Sequence, residues 1–234
     1  MSTKRAIVVA DGTISEESAA RKNIQRRRLV SCLIKATEQL IRDEGLSQIT
    51  IRKIGNIAGY SSATIYCYFE DVNELILFAS VRYLREYVRK LSTEDLSGLD
   101  AKNRYIHVTR LFSGMMFENP EVFYNMFFGR HQDQLNAVIR EYYDLFPEEI
   151  SSISSDLKKM IMQGSLYERQ RHMIEHLLLD GFLHPGTENI VLELIIRLQQ
   201  SFLSDLKERT IRETASALDR FMALFIHILE SNKN

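Results

Sequence analysis

Structure breakers are scarce in this chain. It has 3 prolines and 10 glycines in 234 residues, few for a turn-rich β architecture, so long helices and an all-α fold are expected. Long apolar runs are missing as well. None reaches the ~18–20 residues that cross a bilayer, and no membrane partner is expected. The run 6–10 behind Lys4 and Arg5 is too short for a secretory core and ends at Asp11, which makes a cytoplasmic location the expectation. The two cysteines, Cys32 and Cys67, fit no metal spacing and are expected as free thiols in a reducing compartment. No nucleophile elbow, phosphate-binding glycine loop, metal triad or acid/base pair stands at a recognisable spacing. Neither catalytic residues, a resident metal nor a cofactor is therefore expected, and the chain does not read as an enzyme. His172 and His176 are four apart, a chelating spacing on a helix, but no third ligand is spaced to complete a site.

A hydrophobic content of 45% supports a substantial core in one or two domains. The net charge of −1 conceals an asymmetry. Residues 1–70 hold 11 Lys and Arg against 7 Asp and Glu, a net of +4, whereas residues 71–234 hold 19 against 24, a net of −5. Cations near phosphate drive non-specific DNA affinity, so the basic N-terminal part is the one suited to nucleic acid.

Within that part, residues 50–69 (TIRKIGNIAGYSSATIYCYF) read as two short helices around a tight turn. Thr50 is the expected N-cap, and Ile51, Ile54, Ile57 and Ala58 give one helix a buried face. Gly59 suits the left-handed residue that ends the helix. Ser61 or Ser62 restarts the chain as an N-cap, and a second helix follows to Phe69, with Ile65 and Phe69 inward and Ser62, Ala63, Thr64 and Tyr66 outward. This is the sequence form of a helix-turn-helix.

The segment 28–75 resembles the N-terminal DNA-binding domain of TetR-family transcriptional repressors. The resemblance is carried by LIRDEGL at 40–46, TIRKI at 50–54, AGYS at 58–61, TIYCYF at 64–69 and Asn73-Glu74-Leu75. It implies base reading by Ser62, Ala63 and Thr64 from the start of the recognition helix, with Ser61 beside them. It also implies phosphate contacts by Tyr66, assisted by Tyr68, and backbone contacts by Thr50 and Arg52. Two positions depart from the family, Ser62 where a basic residue is common and Val72 where a lysine is common. Arg26, Arg27, Arg28, Arg52 and Lys53 are expected to supply part of the missing charge.

The domains expected are a disordered tail over 1–20, a helix-turn-helix domain over 21–70, a connecting helix over 71–91 and a helical ligand-binding and dimerisation domain over 92–234. Lys4 and Arg5 in the tail are either solvated or a minor-groove arm. Beyond a polar break at 92–100, helices are expected over about 101–118, 120–129, 133–146, 154–182 (with a kink at Gly164), 187–209 and 212–229, the penultimate one capped by Thr187. The region 112–146 is dense in Phe, Tyr and Met, a lining suited to an apolar or aromatic effector. The expected pocket residues are His107, Phe112, Met115, Met116, Phe127, Tyr142, Tyr143, Met162 and Tyr167. By the resemblance, the last two helices make a homodimer interface, with Leu194, Leu198, Phe202, Leu218, Phe221 and Phe225 as contacts. The function implied is a ligand-responsive repressor that binds a palindromic double-stranded DNA operator as a homodimer and is released by a small molecule. The alternative is a helical small-molecule binding protein or adaptor whose helix-turn-helix does not function.

Overall fold

A computed structural model describes residues 16–151 and 155–234. The described residues form eleven α-helices and contain no β-strand beyond an isolated bridge between Leu183 and Lys233. The helices α1 (Glu16–Glu44), α2 (Ile51–Ala58) and α3 (Ser62–Tyr66) make the N-terminal unit. The long α4 (Val72–Leu91) leads out of it. The helices α5 (Ala101–Glu118), α6 (Pro120–Phe128), α7 (Leu135–Leu145), α8 (Ser155–Met162) and α9 (Leu166–Leu179) follow, and α10 (Glu188–Lys207) and α11 (Thr214–Ser231) complete the chain.

Side-chain caps set many of these boundaries, because the first amides of a helix have no internal acceptor. Asp71 accepts the Glu74 amide at 2.8 Å to open α4, Asp100 accepts that of Asn103 at 2.7 Å to open α5, and Ser165 accepts that of Glu168 at 3.0 Å to open α9. Thr187 does not cap α10. Its hydroxyl donates instead to the His184 carbonyl at 2.7 Å.

Three other expectations change. The first helix starts at Glu16 and not at residue 21, so 16–20 are helical and the rest of the expected tail, Lys4 and Arg5 included, lies outside the described residues. The expected helix over 154–182 is two helices. The Gly164 amide donates to Asn136 Oδ1 at 2.5 Å between them, and a Cβ on Gly164 would lie 2.6 Å from that oxygen. Ile57, expected on the buried face of α2, is 44% exposed.

The C-terminal core is an aromatic column. Phe117 of α5 stacks on Phe202 of α10 (5.8 Å between ring centroids) and meets Phe221 of α11 edge-on (5.4 Å), while Phe225 of α11 meets Tyr105 of α5 at 5.0 Å. These rings lock α5, α10 and α11 together by area burial and edge-to-face contact. A polar chain crosses the same core. The buried Tyr105 hydroxyl donates to Gln170 Oε1 of α9 at 2.6 Å, and Gln170 Nε2 donates to Gln199 Oε1 of α10 at 3.0 Å.

Candidate functional site

The helix-turn-helix is fixed by local chemistry. Thr50 Oγ1 accepts the Lys53 amide at 3.2 Å and starts α2. Gly59, at φ 76°, ends it in the left-handed region, and the Tyr60 amide closes the turn on the Gly55 carbonyl at 3.0 Å. Gly55 is required for a different reason, which the sequence reading missed: a Cβ there would lie 2.5 Å from the Tyr60 carbonyl oxygen. Ser61 then caps α3, its Oγ accepting the Thr64 amide at 3.1 Å. The recognition helix is shorter than expected, ending at Tyr66, yet Ile65 and Phe69 are buried as anticipated.

Of the residues expected to touch DNA, Thr50, Arg52, Ala63, Tyr66 and Tyr68 are exposed, and Ser62 and Thr64 are half-buried at the start of α3. Three of them already have work inside the fold, Thr50 being the cap of α2. Ser61 is the cap of α3, and its hydroxyl lies 2.9 Å from that of Thr64. Ser62 is left as a free hydroxyl at the helix start, where base edges are read.

The basic cluster is less available than its sequence suggests. Arg26 is ion-paired with Glu141 of α7, and Arg27 with Glu148 beyond it, the Arg27 guanidinium also lying 5.5 Å from the Phe146 ring centroid. Both bind the C-terminal part, against the expectation that they face phosphate. Lys53 donates to Glu44 and to the Gln48 carbonyl. Arg28 and Arg52 remain exposed. Arg52→Ala is therefore expected to lower the slope of log affinity against log salt by about 1, read by anisotropy titration over a salt series. An unchanged slope would remove Arg52 from the phosphate footprint.

The nine expected pocket residues do not share one cavity. Phe112 lines a cavity between α4, α5 and α9, together with Tyr87, Tyr105, Thr109, Arg169 and Gln170. Tyr142 lines a groove of about 780 Å³ between α1 and α7. Phe127 and Tyr167 line a cleft of about 530 Å³ bordered by α6 and α10. Met115, Met116 and Tyr143 are core, and Met162 is half-buried. His107 is turned to Glu94 on the surface, 2.8 Å away. The sequence reading missed Arg169 and Gln170, because nothing local separates a buried arginine on an amphipathic helix from a solvated one.

The expected dimer contacts also divide. Phe202, Phe221 and Phe225 are buried within the subunit and pack on its own helices, not on its outward face. Leu194 is 45% exposed, and Leu198 and Leu218 are half-buried. The outward apolar face consists of Ile190, Leu194 and Leu198 on α10, at four-residue spacing, with Leu224 and Ile228 on α11.

Residues 33–77 match the sequence model of bacterial regulatory proteins of the tetR family. No curated protein matches the chain significantly. Among solved structures, a TetR transcription regulator from Haloarcula marismortui is 16% identical with a TM-score of 0.54, over 88% of this chain and 98% of that one. FadR of Thermus thermophilus, a TetR-family transcriptional repressor solved in complex with lauroyl-CoA, is 16% identical with a TM-score of 0.51, over 84% of this chain and 93% of that one. At these identities the likeness concerns the fold. TetR-family proteins are DNA-binding regulators and not enzymes. Residues 33–77 thus carry a DNA-binding domain of the tetR type, set in a fold that this chain shares along most of its length with TetR-family transcriptional regulators.

Proposed function

We propose that the protein is a homodimeric repressor that binds a palindromic operator and is released by a small molecule with an apolar part. One observation carries this reading: α4 serves both ends of the subunit. Near its start, Phe78 packs edge-on against Phe69 of the helix-turn-helix, 5.6 Å between centroids. Near its end, Tyr87 lines the cavity with α5 and α9. A ligand that binds one placement of Tyr87 better than another therefore bears on the helix that carries the DNA reader, as any allosteric effector must. Dimerisation uses the outward face of Ile190, Leu194, Leu198, Leu224 and Ile228, and a two-fold pair of recognition helices spaced about 34–36 Å apart calls for half-sites one turn apart. The lauroyl-CoA in the Thermus thermophilus neighbour is a precedent for an apolar chain in this fold. No helix among the described residues is long and apolar enough to cross a membrane, which fits a cytoplasmic regulator.

The test is selection of bound sequences from a random DNA pool at two salt concentrations. An enriched palindrome with half-sites about one turn apart is expected. Salt-dependent retention with no enriched sequence would favour a binding protein whose helix-turn-helix is silent.

A further inference from the structure

The cavity between α4, α5 and α9 contains a cation with no counter-charge among the described residues. Arg169 is 8% exposed, on α9. Its Nη2 donates to the Ile161 carbonyl at 3.0 Å, and its Nε has no hydrogen-bond partner. No carboxylate among the described residues acts on it. The titratable groups that do are the phenols of Tyr87 and Tyr143, which burial keeps neutral. Burial pushes the guanidinium down to about 10, so it is still charged at neutral pH. A buried charge without a partner is strongly disfavoured, and structures normally pair such groups.

The surrounding groups do not supply the missing acceptor. Gln170 has its Oε1 taken by Tyr105 and its Nε2 donated to Gln199. The Tyr143 hydroxyl is itself buried without a partner. The Tyr143 hydroxyl can donate or accept, the guanidinium only donates, and its fork matches a carboxylate in two parallel hydrogen bonds. Thr109 apart, the rest of the wall is apolar: Val108, Phe112 and Met173, with the ring of Tyr87. Val108 and Met173 are the half-exposed members, so the cavity opens between them. Its free interior is about 30 Å³, room for about two waters and far below the roughly 300 Å³ or more of a drug-sized site.

We propose that the effector is a slim organic monocarboxylate, its head seated on Arg169 and its apolar part running out past Phe112, Val108 and Met173. The assignment rests on the ligand-responsive reading above and names the chemistry of that ligand. The apolar wall favours an organic acid over a bare inorganic anion, and the narrow interior favours an unbranched chain or a single ring.

The test measures melting temperature and operator release together, with unbranched monocarboxylates of graded length and benzoate as probes. The controls are the alcohol and amide of each, inorganic phosphate and chloride. At a hundred times its Kd, a fitting acid should raise the melting temperature by about 5–10 °C, and its neutral analogues should not. Arg169→Met should melt higher than wild type without ligand, because it removes the unpaired charge, and should lose the response to acids. Arg169→Lys keeps the charge without the fork and should retain a weakened response. Equal responses from acid and alcohol, equal responses in wild type and Arg169→Met, or no response to any acid would overturn the proposal. So would a response to phosphate or chloride as large as to the best organic acid. The reading beneath it fails separately. If acids stabilise the protein through Arg169 without releasing DNA, the anion site stands and ligand-controlled DNA binding falls. If neutral apolar compounds release DNA while acids neither stabilise nor release, the regulator stands and the anion site falls.

Discussion

Phe221→Ala is expected to cost the subunit about 3–5 kcal/mol, lowering its melting temperature by about 10 °C. Phe221 has no exposed surface. It meets Phe117 of α5 at 5.4 Å, Phe202 of α10 at 5.7 Å and Phe225 of its own helix at 6.1 Å. Truncation thus empties the point where three helices share one aromatic column, and rings held on three rigid elements cannot all close onto the gap. The experiment also separates core from interface. A loss of the same size at low and high protein concentration is the signature of a residue inside the subunit. A loss that vanishes as concentration rises would return Phe221 to the dimer contact and contradict its packing inside the subunit. Leu194→Glu is the complementary change. It is exposed on the outward face of α10 and should weaken self-association while leaving the subunit's own packing in place.

The second large effect falls on DNA binding. Gly55→Ala is expected to reduce affinity for the selected operator by about five- to 150-fold, with overpacking in the helix-turn-helix costing about 1–3 kcal/mol. The added Cβ would meet the Tyr60 carbonyl oxygen at 2.5 Å. That oxygen belongs to backbone, so relief requires moving the turn that aims α3, not rotating a side chain. Gly59→Ala is the natural comparison. A Cβ there meets nothing within 4 Å, and the cost is that of a left-handed alanine, about 1–2 kcal/mol. Operator affinity and melting temperature measured on both variants separate misaimed contacts from lost folding. A Gly55→Ala protein that binds like wild type would show that the turn tolerates the shift.

The DNA-reading unit was the legible part of the sequence because its determinants are local. A threonine cap at 50, a left-handed glycine at 59 and a serine cap at 61 act on atoms within a few residues, and each does in the structure what its spacing implies. The C-terminal part hid its arrangement for two physical reasons. The helices α10 and α11 each carry apolar residues on two sides, and periodicity alone does not say which stripe turns inward. Phe202, Phe221 and Phe225 went in, while Ile190, Leu194 and Leu224 stayed out. The other reason is that long-range pairing leaves no local mark. Glu141 and Glu148 lie more than a hundred residues from the arginines they bind, and Arg169 looks like any solvent-facing helical cation until α4, α5 and α9 close around it.

The connecting helix also sets how the protein behaves as a material. Residues Leu75 to Val81 of α4 are buried without interruption, seven in a row, so every side of the helix there is sheathed by neighbours. A rod packed all round neither bends nor slides alone, and the amides within it exchange with solvent only when the surrounding helices open too. Charge divides the chain into a basic reader and an acidic remainder, but unfolding respects no such border. The N-terminal unit and the C-terminal part share a keel, and a single melting transition is expected of both.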